Sequence, residues 1–118
     1  MNRQTEIPEV RELIVFLEKA SKKNKAPIWA DIARRLSRPR RNIASVNVGK
    51  IDKNTKEGDT AIIPGKVLSA GSLTHGVDVA ALAFSMDAER KISAIGSCMD
   101  IKTLVGKSPK GTGVIILE

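Results

Sequence analysis

The residues with the clearest chemical meaning are arginines, five of which lie within eight positions. No acidic residue occurs between Asp31 and Asp52 to balance them. Each guanidinium is a planar, permanently charged set of donors that matches phosphate oxygens, and adjacent like charges repel unless a polyanion lies across them. A charge run is usually a solvated face, but solvated faces mix both signs and this run does not. The cluster therefore predicts a nucleic-acid contact through Arg34, Arg35, Arg38, Arg40 and Arg41.

The excess positive charge is confined to the first half of the chain. Residues 1–50 carry twelve Lys or Arg against five Asp or Glu, whereas residues 51–118 carry eight against eight, so the halves have net charges of +7 and zero. Within residues 19–50, ten basic residues are opposed by Asp31 alone. A basic segment beside a neutral one is typical of nucleic-acid binders. A weaker second contact is predicted at Lys22, Lys23 and Lys25.

Other reactive side chains form no recognisable active site. Gly106-Lys107-Ser108 lacks the glycine five positions earlier that a phosphate-binding loop requires. Ser72, His75 and Asp78 are close in sequence, but catalytic triads are assembled by the fold, and no nucleophile-elbow pattern surrounds a serine. Cys98 is the single cysteine and has no metal-ligand spacing with His75. We therefore expect no active site and no metal site, and we expect His75 in a turn or at an RNA edge.

Length and composition indicate one domain, residues 1–118, in a reducing intracellular setting. A chain of 118 residues with 42% hydrophobic residues can bury about two-thirds of its unfolded surface. No apolar run reaches the ~20 residues of a membrane span, the first residues lack a signal-peptide pattern, and one cysteine cannot form an internal disulfide. Aromatic residues make up only 3%, which argues against a base-stacking platform and favours contacts with phosphates and RNA shape.

The basic residues are predicted to lie on two N-terminal helices. Pro8 suits the first turn of the first helix. Its apolar face, with spacing i, i+3, i+4 and i+7, is Val10, Leu13, Ile14 and Leu17. Pro27 opens a second helix over residues 27–38, which Pro39 ends because the residue before a proline avoids helical angles. Trp29 is expected in the core between the helices. The last two arginines of the cluster then lie just beyond the second helix.

Beyond residue 44 the pattern changes to short strands, turns and two short helices. We expect strands over 45–51, 60–63, 66–69, 77–84 and 114–117, a loop over 52–59, a type II turn at Pro64-Gly65, and helices over 86–95 and 101–105 capped by Ser85 and Asp100. The predicted fold class is therefore α/β. A basic helical part, residues 1–44, precedes a small charge-balanced α/β core, residues 45–118.

Several dispersed motifs occur in one order along nearly the whole chain. They include Ala26-Pro27-Ile28-Trp29, Arg38-Pro39-Arg40-Arg41, Val46-Asn47-Val48-Gly49-Lys50-Ile51, the run from Gly58 to Leu68, and Ser108-Pro109-Lys110-Gly111-Thr112-Gly113-Val114. Together they resemble large-subunit ribosomal protein eighteen of archaea and eukaryotes, a family related to bacterial large-subunit ribosomal protein fifteen. The short length fits the archaeal form.

The resemblance implies a structural constituent of the large ribosomal subunit, in the cytoplasm, that binds large-subunit ribosomal RNA beside other ribosomal proteins. It implies an irregular β-β-α core with the N-terminal helices and the basic loop lying on RNA. It also implies no enzymatic activity, cofactor, small-molecule substrate or membrane contact. The family motifs add three expected RNA-binding residues, Asn47, Lys50 and Lys66.

Two other functions are compatible with the basic residues. A DNA-binding regulator would use residues 27–38 as a recognition helix, although such helices usually space Asn, Gln or Arg to read base edges, and here the arginines cluster at the helix end. An enzyme acting on RNA would need a constellation of carboxylates or histidines that is missing from the sequence. Competition between duplex DNA and structured RNA, and a metal-dependent cleavage assay, would discriminate these functions.

Overall fold

The computed structural model of the chain describes residues 8–39 and 43–118. In order, its elements are α1 (Pro8–Asn24), α2 (Pro27–Leu36), β1 (Ala44–Asn47), α3 (Val48–Asn54), β2 (Thr60–Leu68), β3 (Asp78–Phe84), α4 (Met86–Ser93), β4 (Ser97–Asp100), α5 (Ile101–Lys107) and β5 (Val114–Ile116). Arg40 and Arg41 of the predicted arginine cluster lie outside the described residues. Of the helices described, none is long and apolar enough to span a membrane.

The strands form one sheet in which the described pairings are all parallel. β3 pairs along one side of β2, whereas β5 and β1 pair along different parts of its other side, residues 60–62 and 65–68. β4 pairs with β3. Parallel neighbours cannot be joined by tight hairpins, so successive strands are separated by helices or long loops. The sheet therefore joins segments that are far apart in sequence.

Helices cover both faces of this sheet. α1, α2 and α5 pack over one face around a core that includes Leu17 and Trp29, whereas α3 and α4 cover the other face around Ile92. Successive residues of β2 enter opposite cores, Ile62 the first and Ile63 the second, as the period of a strand requires. The α/β fold class predicted from the sequence is confirmed.

Both predicted N-terminal helices are present. α2 ends at Leu36, two residues before the predicted end, and the backbone N–H of Ser37 donates to carbonyl groups of the last helical turn. Trp29 is fully buried, and its Nε1–H donates to the carbonyl oxygen of Pro109 at 2.7 Å. The prediction that Trp29 is a core residue is therefore confirmed.

The predicted strand over 45–51 is wrong in its second half. β1 ends one residue before Val48, where α3 begins, so the predicted loop over 52–59 also starts within a helix. Val46 and Val48 alternate as in a strand, but Val48 and Ile51 are fully buried in one core at the three-residue spacing of a helical face. An alternation this short does not distinguish the two-residue period of a strand from the 3.6-residue period of a helix.

The predicted type II turn at Pro64-Gly65 is also wrong, because β2 continues through both residues and unites the two predicted strands. The pairing with β3 changes register between Ile63 and Lys66, and such an irregularity is where a proline without an N–H is tolerated. Gly65 lies opposite Ala44 of β1, and a Cβ built on Gly65 would be 2.0 Å from the Ala44 carbonyl oxygen. The glycine therefore permits close approach of two strands.

Both predicted helix caps are confirmed. Ser85 Oγ accepts from the Ala88 N–H at 3.2 Å, and Asp100 Oδ1 accepts from the Thr103 N–H at 2.8 Å. Hydrogen bonds from the side chain and backbone of Thr103 lower the pKa of Asp100. The sequence pattern misses β4, which lies between these helices, because its four residues include no β-branched or aromatic side chain.

Candidate nucleic-acid interface

Three arginines of the predicted cluster lie at the C-terminal end of α2. The helix buries Trp29 and Leu36 in the core, so Arg34, Arg35 and Arg38 lie on its outer side and just beyond its end. Their side chains are 72%, 23% and 35% exposed, respectively. Cations are favoured at a helix C-terminus because the free carbonyl groups there carry partial negative charge.

Two carboxylates partly neutralise these arginines. Asp31, one turn earlier on α2, contacts Arg34 and accepts from Arg35 Nε at 3.1 Å. Glu118 comes from a distant part of the sequence and places Oε1 2.8 Å from Arg35 Nη1 and Oε2 2.8 Å from Arg38 Nη1. The expectation that Asp31 alone opposes the basic segment is therefore corrected, because the fold brings a second carboxylate to it.

The ion pair between Asp31 and Arg35 shifts the pKa values of both groups. The hydrogen bond from Arg35 holds the pKa of Asp31 below its usual value, although partial burial acts in the opposite direction. The same hydrogen bond raises the pKa of Arg35. Both groups are therefore charged near neutral pH. We expect anion binding here to depend on salt far more than on pH between 6 and 8.

Lys50 joins the arginines through Glu118. It is exposed on α3, and its Nζ donates to the backbone carbonyl of Glu118. We call this group of four residues the arginine surface: Arg34, Arg35, Arg38 and Lys50. Its four positively charged side chains are opposed by the side-chain carboxylates of Asp31 and Glu118, so these six side chains together carry a net charge of +2. The surface therefore retains positive charge for an anionic partner.

The other residues implied by the family motifs lie at different places. Lys66 is exposed on β2 and lines, with Leu36 and Ile43, an open groove of about 700 Å³ next to the end of α2. Asn47 Oδ1 accepts a hydrogen bond from the Ala70 N–H at 3.3 Å. The fold thus places Lys66 near the end of α2, whereas Asn47 holds the loop that follows β2.

The three lysines predicted as a weaker contact lie at the other end of α2. Lys22 and Lys23 are exposed in the last turn of α1, and Lys25 follows it with a positive φ of 53°. The ten residues of α2 separate these lysines from the arginine surface by about 15 Å along the helix axis. The predicted basic residues therefore form two groups.

The side chains that were considered for catalysis are held by contacts elsewhere in the chain. His75 is half-buried, with Nε2 2.9 Å from Thr55 Oγ1 and Nδ1 3.3 Å from Asp52 Oδ1. Asp78 accepts a hydrogen bond from Ser97 Oγ at 2.7 Å. Within residues 8–39 and 43–118, no cluster of His, Cys, Asp or Glu could hold a metal ion. His75 and Asp78 therefore have structural contacts with different elements.

Two more lysines lie close to α1 and are absent from the sequence prediction. Lys102 Nζ is 5.3 Å from the centroid of the Phe16 ring, and Lys110 Nζ donates to the carbonyl oxygen of Asn24 at 2.9 Å. Lys110 and Asn24 are 86 residues apart in sequence. No local sequence pattern indicates a contact at this separation. The ion pairs of Glu118 with Arg35 and Arg38 could not be predicted for the same reason.

Comparison with known proteins gives consistent matches along the chain. The family described as "Ribosomal protein 60S L18 and 50S L18e" matches residues 4–118. Proteins named large ribosomal subunit protein eL18 from Methanococcus maripaludis and Methanospirillum hungatei are both 48% identical to the chain, over 93% and 94% of it and 92% and 93% of their own lengths. The protein of the same name from Archaeoglobus fulgidus is 48% identical over 93% of the chain and 95% of its own length.

Proposed function

Because the chain belongs to the family of ribosomal proteins 60S L18 and 50S L18e, we propose that it is a structural constituent of the large ribosomal subunit. In this role it binds large-subunit ribosomal RNA in the cytoplasm and lies beside other proteins of the subunit. The family membership confirms the resemblance that the motifs indicate. The role is structural rather than enzymatic and requires no cofactor.

The observation that best supports RNA binding is the arginine surface. Its net charge of +2 lies at one end of α2 and is not cancelled by the carboxylates that the fold places there. Arg40 and Arg41 follow within three residues of Arg38 in the sequence. A polyanion laid across these groups would relieve their repulsion and release condensed counterions.

Phosphate contacts at this surface are expected to be mainly backbone contacts. A guanidinium donates two parallel hydrogen bonds to phosphate oxygens, which fixes the orientation of the protein but does not by itself read a base sequence. Arg34 is the most exposed of the three, and it contacts Asp31 through one of its terminal nitrogens. Arg35 and Arg38 must share their guanidinium groups between Glu118 and the RNA.

The recognition-helix alternative has less support. The exposed residues of α2 are Pro27, Ala30 and Arg34, so only one fully exposed side chain on the helix can read a base edge. Proteins that read the major groove place several such side chains along one helix face. Duplex DNA is therefore expected to compete poorly with structured RNA.

The salt dependence of RNA binding tests the proposal. The full-length protein and the variant Arg34→Gln/Arg38→Gln/Lys50→Gln are titrated with in vitro transcribed large-subunit ribosomal RNA at several salt concentrations. Each lost phosphate contact should reduce the slope of log K against log salt by roughly 0.7–0.9, so the triple variant should lose about 2 to 3. A second variant that also replaces Arg40 and Arg41 should lose more.

A matched control removes three positive charges that are not part of the arginine surface. Lys53, Lys56 and Arg90 are exposed on α3, on the loop after it and on α4. Their replacement by glutamine makes the same change in net charge and should alter the slope by less than about 1. The proposed function would be contradicted if the control and the arginine variant had equal slopes of log K against log salt. It would also be contradicted if duplex DNA competed for the protein as well as structured RNA does.

A further inference from the structure

A second positively charged site lies where α1 meets α5 and the loop after it. A groove of about 300 Å³ runs between them; its walls are Phe16, Lys19, Ala20, Lys23 and Asn24 of α1, and Val105, Gly106 and Pro109 opposite. We call it the α1–α5 groove. Phe16, Ala20, Val105 and Pro109 give it an apolar floor. Among its lining residues the only charged groups are lysines.

Lysines from two distant parts of the sequence converge on this groove. Lys19 and Lys23 are exposed and lie one helical turn apart on α1. Lys102 and Lys110 do not line the groove but contact residues that do: Lys102 Nζ is 5.3 Å from the centroid of the Phe16 ring, and Lys110 Nζ donates to the carbonyl oxygen of Asn24. Within the described part of the chain, no carboxylate lies within 4 Å of these four lysines.

This arrangement differs from an ordinary solvated surface. Two carboxylates form ion pairs with the arginine surface, whereas none of the described carboxylates lies within 4 Å of these four lysines. Beside the hydrogen bonds from Thr103, the charge of Lys102 is close enough to Asp100 to help lower the pKa of that carboxyl. Four like charges around one groove repel one another, and an anionic chain that passes between them removes that repulsion. An anionic partner is therefore expected at this groove as well as at the arginine surface.

We propose that the α1–α5 groove binds a second segment of large-subunit ribosomal RNA, with the backbone phosphates on Lys19, Lys23, Lys102 and Lys110. This inference rests on the proposed function and adds a second contact to it. The groove is narrow and small, so it admits an unpaired segment or a bulged nucleotide rather than a whole duplex. The sugar or base of that nucleotide lies against Phe16 and Pro109.

The composition of the groove favours RNA over an acidic segment of a neighbouring protein. Lysine is depleted in protein–protein interfaces, which are enriched in Arg and in aromatic residues, whereas ordered phosphate contacts use lysine freely. Lys22 and Lys25 are close in sequence to Lys23 and lie about 15 Å along α2 from the arginine surface. One folded RNA can therefore touch both ends of the same helix.

Lysine footprinting on the full-length protein tests the inference without substitution. The protein is treated with an amine-acetylating reagent, alone and bound to in vitro transcribed large-subunit ribosomal RNA, and each lysine is quantified by mass spectrometry. Lys19, Lys23 and Lys102 should be protected several-fold by the RNA, whereas Lys53 and Lys56 should react as in the free protein. Unprotected groove lysines in an otherwise stable complex would overturn the inference.

The salt dependence of RNA binding by charge variants is a second test of the inference. Lys19→Gln/Lys23→Gln/Lys102→Gln should lower the salt slope by roughly 2 and weaken binding at low salt by about tenfold or more, while Lys53→Gln/Lys56→Gln/Arg90→Gln should not. If the arginine variant loses slope and the groove variant does not, the proposed function stands and this inference fails. If neither variant loses slope, both fail. Protection of the groove lysines only in assembled subunits, and not by protein-free RNA, would assign the groove to a protein and would also overturn the inference.

Discussion

Replacing Glu118 by glutamine should weaken the fold and at the same time strengthen RNA binding. The Glu118 carboxylate contacts both Arg35 and Arg38, with an N–O distance of 2.8 Å in each pair. Glutamine has nearly the same shape and retains the backbone carbonyl that accepts from Lys50. The substitution therefore removes one negative charge from the arginine surface and little else.

The loss of stability follows from the exposure of the ion pairs. The side chains of Arg35, Arg38 and Glu118 are 23%, 35% and 28% exposed, so water screens their attraction substantially. Partly exposed ion pairs contribute about 0.2–1 kcal/mol each. Since glutamine keeps some hydrogen bonding, the free energy of unfolding should fall by about 0.5–1.5 kcal/mol, measured by urea denaturation at low salt.

The gain in affinity comes from removing repulsion. A phosphate bound to the same guanidinium would lie roughly 6 Å from the carboxylate, where two unit charges repel by about 0.7 kcal/mol at the dielectric constant of water and by more near a protein surface. Glu118→Gln should therefore tighten RNA binding at least about threefold at low salt. Screening with a Debye length of about 8 Å should roughly halve this repulsion at physiological ionic strength, so the gain should shrink to somewhat under twofold there and largely disappear near 1 M salt, where the Debye length is about 3 Å.

Fluorescence anisotropy with a labelled fragment of large-subunit ribosomal RNA measures this effect across a salt series. Glu89→Gln, an exposed site on α4 at the other face of the sheet, makes the same change in charge and serves as the control. Weaker binding by Glu118→Gln would mean that the carboxylate positions the arginines for RNA. Binding equal to that of the control would mean that no phosphate approaches Arg35 or Arg38. Either result would refute the reasoning.

Three further predictions concern the fold that carries these surfaces. Trp29→Phe removes a buried ring and the donor to Pro109, and should cost about 2–3 kcal/mol in urea unfolding followed by circular dichroism; a loss below about 1 kcal/mol would contradict the anchoring role. Gly65→Ala should cost about 2–4 kcal/mol because its Cβ meets the opposite carbonyl of β1, whereas Gly106→Ala, with nothing within 4 Å, should be neutral or slightly stabilising in the same assay. The pKa of Asp31 is lowered in the fold, so its stabilisation is present above the unfolded pKa of about 3.9 and is lost as pH falls through the folded value. The difference in unfolding free energy between the natural chain and Asp31→Asn should be about 0.5–1 kcal/mol at neutral pH and vanish in acid, and a difference independent of pH would argue against the ion pair.

Features set by neighbouring residues were predictable from the sequence. Pro8 and Pro27 begin α1 and α2, and Ser85 and Asp100 cap the next two predicted helices, because each of these signals acts within one turn of the helix. Trp29 was placed in the core because a large apolar side chain on a helical stripe is rarely exposed. Residues close in the sequence determine all of these features.

Features set by distant residues were not predictable in the same way. The sequence predicts Gly65 in a turn, because nothing near it in the chain indicates that Ala44 lies opposite it on the neighbouring strand. Glu118 has no basic residue close to it in the sequence, and only the fold brings it into contact with Arg35 and Arg38. Lys102 and Lys110 are far from Lys19 and Lys23 in sequence, and only the fold brings them close to α1. In each instance the deciding contact joins strands or loops whose pairing has no local signature.

The long sequence separation between partners affects how the protein behaves during synthesis. Arg38 and Glu118 are 80 residues apart, as are Trp29 and Pro109, and β5 pairs with β2 from the far end of the chain. Contacts between distant segments form late and slowly. A nascent chain therefore exposes its guanidinium groups before the carboxylate from residue 118 has been translated. Under the proposed function, we expect its attraction to RNA to be greatest at that stage and to decline as the fold closes, so that RNA is bound early.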